Sequence, residues 1–345
     1  MTWFERLTGF PETSPQQVRA TLSVDGNRLT SRVNGGAWIC GALETPSLAE
    51  LRARVRASAR PSGRLSVREV VADVQRLHAD PSHATALFQV ASQFNLLEMA
   101  SPQVTPEQGV GIYEHDHTQG PACAIAAGAG TIYRNYFAPV DGQIGQSAHS
   151  QIDCLADVGA MLGNTDGHLW QMSNGYALAS HDGLIRIADY LRGAGEEGSD
   201  QLRQKLRIGV QWNTQVTLPG CTHLVSQAYC SALPVAYARP APALWAGFAR
   251  LVLEAAYEAT LCAAVLNAAD GGSNQLFLTL LGGGVFGNPT EWILDAMRRA
   301  LALHQDAGLD VAVVSYGRSN PAVEAMIKES GLTTALNTPA TPAWG

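Results

Sequence analysis

The chain has 345 residues, a formal net charge of −7, and charged residues make up 15% of it. That is below the roughly 25% usual in soluble domains, which argues against disorder, and the negative balance argues against a surface that coats nucleic acid by neutralising phosphates. The N-terminal stretch MTWFERLTGFPETSPQQ has no apolar run of the secretory type, and the most apolar long stretch, 244–268, carries Arg250, Glu254 and Glu258. The six cysteines (Cys40, Cys123, Cys154, Cys221, Cys230 and Cys262) are dispersed, with no Cys-x-x-Cys pair, as buried thiols of a reducing compartment would be. A soluble cytoplasmic protein is expected, without a membrane or a non-specific nucleic-acid partner.

In chain order, residues 20–44 read as short strands joined by turns at Asp25-Gly26 and Asn34-Gly35. A helix starts at the capping box Ser47-Leu-Ala-Glu50 and continues through Leu51 and Val55. The segments 67–78 and 84–99 predict strands of a buried sheet. Residues 101–121 form a long polar loop, and the small-residue run after it, 122–137, predicts a helix weakened by Gly128 and Gly130. A hairpin is expected around Asn174-Gly175, followed by a charged surface stretch at 194–207. Two strands come next, within 206–216 and 224–237. The segment 243–267 predicts an amphipathic helix with Arg250, Glu254 and Glu258 as its solvent stripe. A strand at 274–281, a helix from Thr290 and a last strand at 310–316 complete an alternating pattern that implies an α/β layered fold.

The stretch LLGGGVFGNPTEW places four glycines in six positions before a helix. They bare consecutive backbone N–H groups at a helix N-terminus, an arrangement suited to phosphate or carboxylate. Gly282, Gly284 and Gly287 also spell G-x-G-x-x-G, but a dinucleotide fold needs an acid at the end of the next strand, and here that strand ends VVSYGRSN. No Gly-Lys-Ser/Thr follows, so a Walker loop is excluded as well.

The block FLTLLGGGVFGNPTEWILDAMRRAL…LDVAVVSYG instead resembles the C-terminal half of macrodomains. The resemblance continues upstream in VREVVADVQRLH, ALFQVASQFNLLEM and GPACAIAAGAGTIY, and covers about residues 65–135 and 205–320. It implies a three-layer α/β/α macrodomain-like fold with a mixed sheet over 63–345, an insertion at about 139–204, and residues 1–62 as a strand-and-helix extension packed on it. It further implies ADP-ribose or an ADP-ribosylated substrate as ligand, and neither cofactor nor metal. The diphosphate would lie on Gly282, Gly283, Gly284, Val285, Phe286, Gly287 and Asn288, and the adenine on Asp73. Asn95 would face the distal ribose, and Phe286 or Tyr316 would flank a ribose. The family's NAAN strand tip is SQFN here, and the glycine run with paired glutamates typical of poly-ADP-ribose glycohydrolases is absent. Two functions stay open: hydrolysis of an ADP-ribosyl linkage by carboxylate-assisted water attack, or a non-catalytic reader of ADP-ribose or NAD-derived metabolites.

Chemistry concentrates in GIYEHDHTQGPAC, which three readings fit: a solvated loop, a metal site, or a carboxylate working on water or the leaving group. The catalytic candidates are Asp116, with Glu114 as understudy, and Glu98. An unbroken strand would set Glu98 on the face opposite Asn95. Thr118 and Gln119 are candidate donors to a ribose or phosphate, Thr118 also being a candidate N-cap. Arg134 and Asn135 read as core-edge residues and His168, His181 and His223 as ordinary histidines. Cys230 and Ser231 lack the G-x-S-x-G setting of a nucleophile.

Overall fold

The computed structural model describes residues 1–59, 62–237 and 240–332. Seven strands form the central sheet: β1 (Ala42–Glu44), β2 (Ser66–Val71), β3 (Leu87–Ala91), β4 (Gly209–Gln215), β5 (Leu224–Cys230), β6 (Gln275–Leu278) and β7 (Asp310–Ser315). Their spatial order is β1-β4-β5-β3-β6-β7-β2. The five strands from β5 to β2 are parallel, with Cys230 opposite Ala91, Phe277 opposite Phe88 and Ser315 opposite Val71, whereas β1 and β4 pair antiparallel at one edge. The sheet is mixed and the fold is α/β/α.

Helices Val74–Ala79, Gln119–Ala126 and Gly128–Tyr136 cover one face, and Leu48–Ala57, His181–Lys205, Pro242–Ala269 and Thr290–Leu303 cover the other. Helix Pro242–Ala269 is long and apolar enough to cross a membrane, but 89% of its most apolar window is buried inside the protein, which makes it the core helix. Its expected solvent stripe is committed to ion pairs instead. Glu258 is 4% exposed and receives Arg52 at 2.5 Å and Arg299 at 2.6 Å, Glu254 takes the buried Arg203 at 2.7 Å, and Arg250 reaches Asp295. Charges that looked like a wet face thus tie four helices together. Arg203 sits in the segment 194–207, most of which forms the second half of helix His181–Lys205, interrupted only at Gly195.

Two expected strands end early. β2 stops at Val71 because Asp73 caps the next helix, its Oδ1 accepting from the Gln75 N–H at 2.7 Å. β3 stops at Ala91. The Asn95 side chain then accepts from the Leu97 N–H, and Leu96 adopts a φ of 65°, so a local turn replaces the ladder.

The N-terminal residues form helices Trp3–Thr8 and Pro15–Thr21 and a small three-stranded sheet. Their apolar side chains, among them Phe4, Phe10, Val18 and Leu29, build a second core with Leu97, Val110, Tyr113, Ile132 and Tyr136. The hairpin Trp170–Ser173 and Tyr176–Ala179 turns at Asn174-Gly175 as expected. Cys40, Cys123, Cys154, Cys221 and Cys230 carry free thiols.

Candidate functional site

A cleft of about 840 Å³ opens at the carboxyl ends of β2, β3, β6 and β7, where open parallel sheets commonly hold ligands. Most of its wall comes from Ala72 to Gln75 after β2, from Glu114 to Gln119 in the long loop, from Thr279 and Leu280 after β6, and from the end of β7 through Pro321, with Ala122, Ile125 and Leu218 behind them. Trp3 and Arg6 of the first helix close one side. Of the sequence candidates, the cleft brings together Asp73, Glu114, Asp116, Thr118, Gln119 and Tyr316. The glycine loop, Asn95 and Glu98 are not among its lining residues.

The three candidate acids sit in different environments. Asp116 is half-buried on the cleft wall, and its Oδ1 accepts from the Thr118 N–H at 2.9 Å. Glu114 is committed to the N-terminal helix, with Arg6 at 2.7 Å on one oxygen and the Trp3 N–H at 2.7 Å on the other. Burial raises its pKa, but these donors outweigh burial and hold the carboxyl below its usual range. Glu98 is 5% exposed, with Oε1 lacking a partner. Desolvation pushes its pKa well up; the Arg134 guanidinium opposes this and the charge of Asp116 adds to it. Burial thus favours the protonated form of Glu98 over the carboxylate. Its carboxyl lies against Gly120, where any side chain would collide with it and with the Ala91 carbonyl. Glycine here lets the first turn of helix Gln119–Ala126 approach the end of β3.

Arg134 does not snorkel. It is buried, stacked 3.6 Å over the Tyr229 ring, and donates to the Leu96 carbonyl and Thr131. Gln119 is a brace, accepting from the Ala91 N–H at 2.9 Å and donating to the Gln89 carbonyl at 2.8 Å. The Thr118 hydroxyl makes no capping bond to its helix and is exposed at the cleft.

On the opposite wall, Glu69 of β2 organises the loop after β7. Its carboxylate accepts from Ser315 Oγ at 2.5 Å, Ser319 Oγ at 2.6 Å and the Asn320 N–H at 2.7 Å. These donors overcome the effect of burial and lower its pKa. The loop so fixed presents Tyr316, 80% exposed, and Arg318, whose guanidinium has no acidic partner among the described residues. Asp73 faces them from the end of β2. Glu69, Arg318, Trp3 and Arg6 were not legible as site residues, since each gains its role from a segment distant in sequence.

The glycine loop behaves differently from its sequence pattern. Gly282 and Gly287 have φ of 74° and 69°, and turn bonds run from the Gly283 N–H to Leu280, from Gly287 to Gly284, and from Asn288 to Gly282. The Gly287 amide, expected on a diphosphate, is thus used within the loop. The Asn288 side chain donates to the Leu233 carbonyl and is buried. Phe286 packs on Tyr176 and Tyr237, so the hairpin 170–179 occupies this side. Asn95 is fully buried, bonded to Gln151 and pressed against Gly175 at the same hairpin tip. Hairpin residues therefore stand between the glycine loop and Asn95, where a ligand was expected. Gly284 and Val285 are exposed, and among the described residues their amides and that of Phe286 donate to no protein acceptor. No group of three His, Cys, Asp or Glu side chains placed to hold a metal is found among the described residues.

No protein-family profile matches the chain, and no curated protein matches it. Among solved structures, poly(ADP-ribose) glycohydrolase from Deinococcus radiodurans in complex with ADP-ribose is similar at 13% identity and a TM-score of 0.42, over 84% of this chain and 92% of that one. The poly(ADP-ribose) glycohydrolase from Thermomonospora curvata bound to the inhibitor ADP-HPD is similar at 14% identity and a TM-score of 0.41, over 91% and 97%. The functional reading rests on the cleft and its residues.

Proposed function

We propose that the cleft binds ADP-ribose or a related nucleotide diphosphate and that the protein hydrolyses an ADP-ribosyl linkage. The observation that carries this is the convergence, at one end of the sheet, of Asp73, Asp116, Thr118, Tyr316 and Arg318 from loops far apart in sequence. Asp73 would accept from a base amino group while the Tyr316 ring flanks the nucleoside. Arg318 supplies the positive charge that a phosphate needs. The diphosphate would run past Thr279 toward the free amides of Gly284 and Val285. A ligand with donors at one end, anionic charge in the middle and a sugar at the other suits such a surface.

For hydrolysis, Asp116 takes a proton from water as the water oxygen bonds to the anomeric carbon. The bond to the leaving oxygen breaks, and that oxygen takes the proton that Asp116 gained, which restores the carboxylate. Glu114 is ill suited to this role because its ion pair with Arg6 holds it ionised and occupied. That single-carboxylate arrangement also supports the second reading, a non-catalytic reader of ADP-ribose or NAD-derived metabolites. A panel of ADP-ribosylated substrates, with Asp116→Asn as control, separates the two: release of ADP-ribose that the variant abolishes supports the hydrolase, and tight binding without release supports the reader.

A further inference from the structure

We infer that the N-terminal segment belongs to the site, with Glu12, Trp3 and Arg6 acting as positioning residues that hold the 110–116 turn and so aim Asp116 and Thr118 into the cleft. The catalytic half of this inference rests on the functional reading above, whereas its mechanical half does not. The long loop contains only two short 3-10 turns, Pro106–Gln108 and Gly111–His115, so its own backbone bonds cannot fix it firmly. Groups from the first twelve residues do so instead.

The Glu12 carboxylate accepts from the Val110 N–H at 2.9 Å and from the Gly111 N–H at 2.6 Å, and Tyr136 Oη donates to it at 2.6 Å. Two consecutive amides converging on one anion form a backbone nest. Glycine at 109 allows the turn its positive φ, and a side chain at either 109 or 111 would push the Glu12 carboxyl out of place. A Cβ at Gly109 would fall 2.5 Å from the Glu12 carboxyl, one at Gly111 2.8 Å from Oε2, and Gly109 has a φ of 87°. Trp3 holds the same turn from its other side, donating Nε1–H to the Val110 carbonyl at 2.9 Å. Its backbone N–H and Arg6 then clamp Glu114, two residues before Asp116. Trp3 and Arg6 also line the cleft, so the wall is incomplete without them.

Hydrogen–deuterium exchange on the full chain, combined with turnover, tests this. Glu12→Gln sets an amide NH2 against backbone donors, and exchange across 109–119 should rise at least tenfold while strand 224–230 stays protected. If Asp116 is catalytic, kcat per folded molecule should fall at least tenfold with KM within threefold, and Glu12→Gln/Asp116→Asn should be no slower than Asp116→Asn alone. Should Glu12→Gln fail to fold, Trp3→Phe, which removes the Nε1–H donor and trims part of a buried ring, is expected to give the same local pattern at smaller amplitude. Unchanged exchange at 109–119, or acceleration spread evenly over the chain, would overturn the clamp, as would unaltered kcat where Asp116→Asn is inactive. A wild-type chain that binds no ADP-ribose would refute the functional reading and leave the exchange pattern to decide the clamp.

Discussion

Two glycine-rich turns in this protein bare backbone amides, and they have opposite fates. The turn at Gly109-Val110-Gly111 is filled by an internal anion, the Glu12 carboxylate. The loop 282–287 consumes some of its amides in its own bonds and leaves those of Gly284, Val285 and Phe286 without protein acceptors among the described residues. The first turn becomes scaffold for the cleft, and the second remains open to a ligand. A glycine pattern thus marks where amides are exposed, and only the surrounding structure shows what they hold.

The comparison can be broken at several points. The largest effect is expected at the end of the clamped turn: Asp116→Asn should cut turnover by roughly 10²–10⁴, about 3–5 kcal/mol of barrier, with ADP-ribose affinity within a few fold. Steady-state kinetics beside calorimetry would show this, and intact turnover would remove Asp116 from the chemistry. Next come the two kinds of glycine in the open loop. Gly282→Ala would drive a Cβ into Ala232 and the Asn288 side chain at a positive φ, and denaturant unfolding should show a loss of about 2–4 kcal/mol. Gly284→Ala meets nothing within 4 Å and should stay within about 0.5 kcal/mol of wild type. Gly284→Glu then probes the phosphate role without a folding cost, and should weaken ADP-ribose binding at least tenfold, about 1.4 kcal/mol. Equal affinity would make the open loop as purely structural as the filled one.

The smallest effect concerns pH. Glu98 has a raised pKa in the folded state, so the native protein binds more protons than the unfolded chain above the ordinary carboxylate range. Stability attributable to Glu98 is therefore full below about pH 4.3 and falls as pH rises toward the folded value. Glu98→Gln should be near neutral at pH 4 and increasingly stabilising toward pH 8. Unfolding curves at several pH values would test this, and a variant that loses stability as pH rises would show that Glu98 is ionised and paired.

Local chemistry was legible in the sequence and long-range partnership was not. The capping box at Ser47 and Glu50 and the hairpin at Asn174-Gly175 each involve groups a few residues apart, and both form as read. β3 was read too long because the Asn95 side chain competes with the ladder for the Leu97 amide. Glu258 was read as solvated because its partners Arg52 and Arg299 lie 206 and 41 residues away. Asp73 and Tyr316, singled out by the macrodomain resemblance, and Asp116 and Thr118, singled out by the titratable loop, do meet in the cleft. Glu12 and Glu69 carry no such local mark, since their roles exist only once residues 98 to 251 positions away have folded against them.

The central claim is that the cleft holds an ADP-ribose-type nucleotide, and calorimetric titration of ADP-ribose into wild type and Tyr316→Ala tests it most directly. Tyr316 is 80% exposed, so its removal should leave the unfolding midpoint unchanged. The account predicts single-site binding to wild type and at least tenfold weaker binding to Tyr316→Ala, in line with the roughly 1–3 kcal/mol that base–aromatic stacking contributes. Absence of binding heat in wild type, or equal affinity in the two proteins, would contradict it.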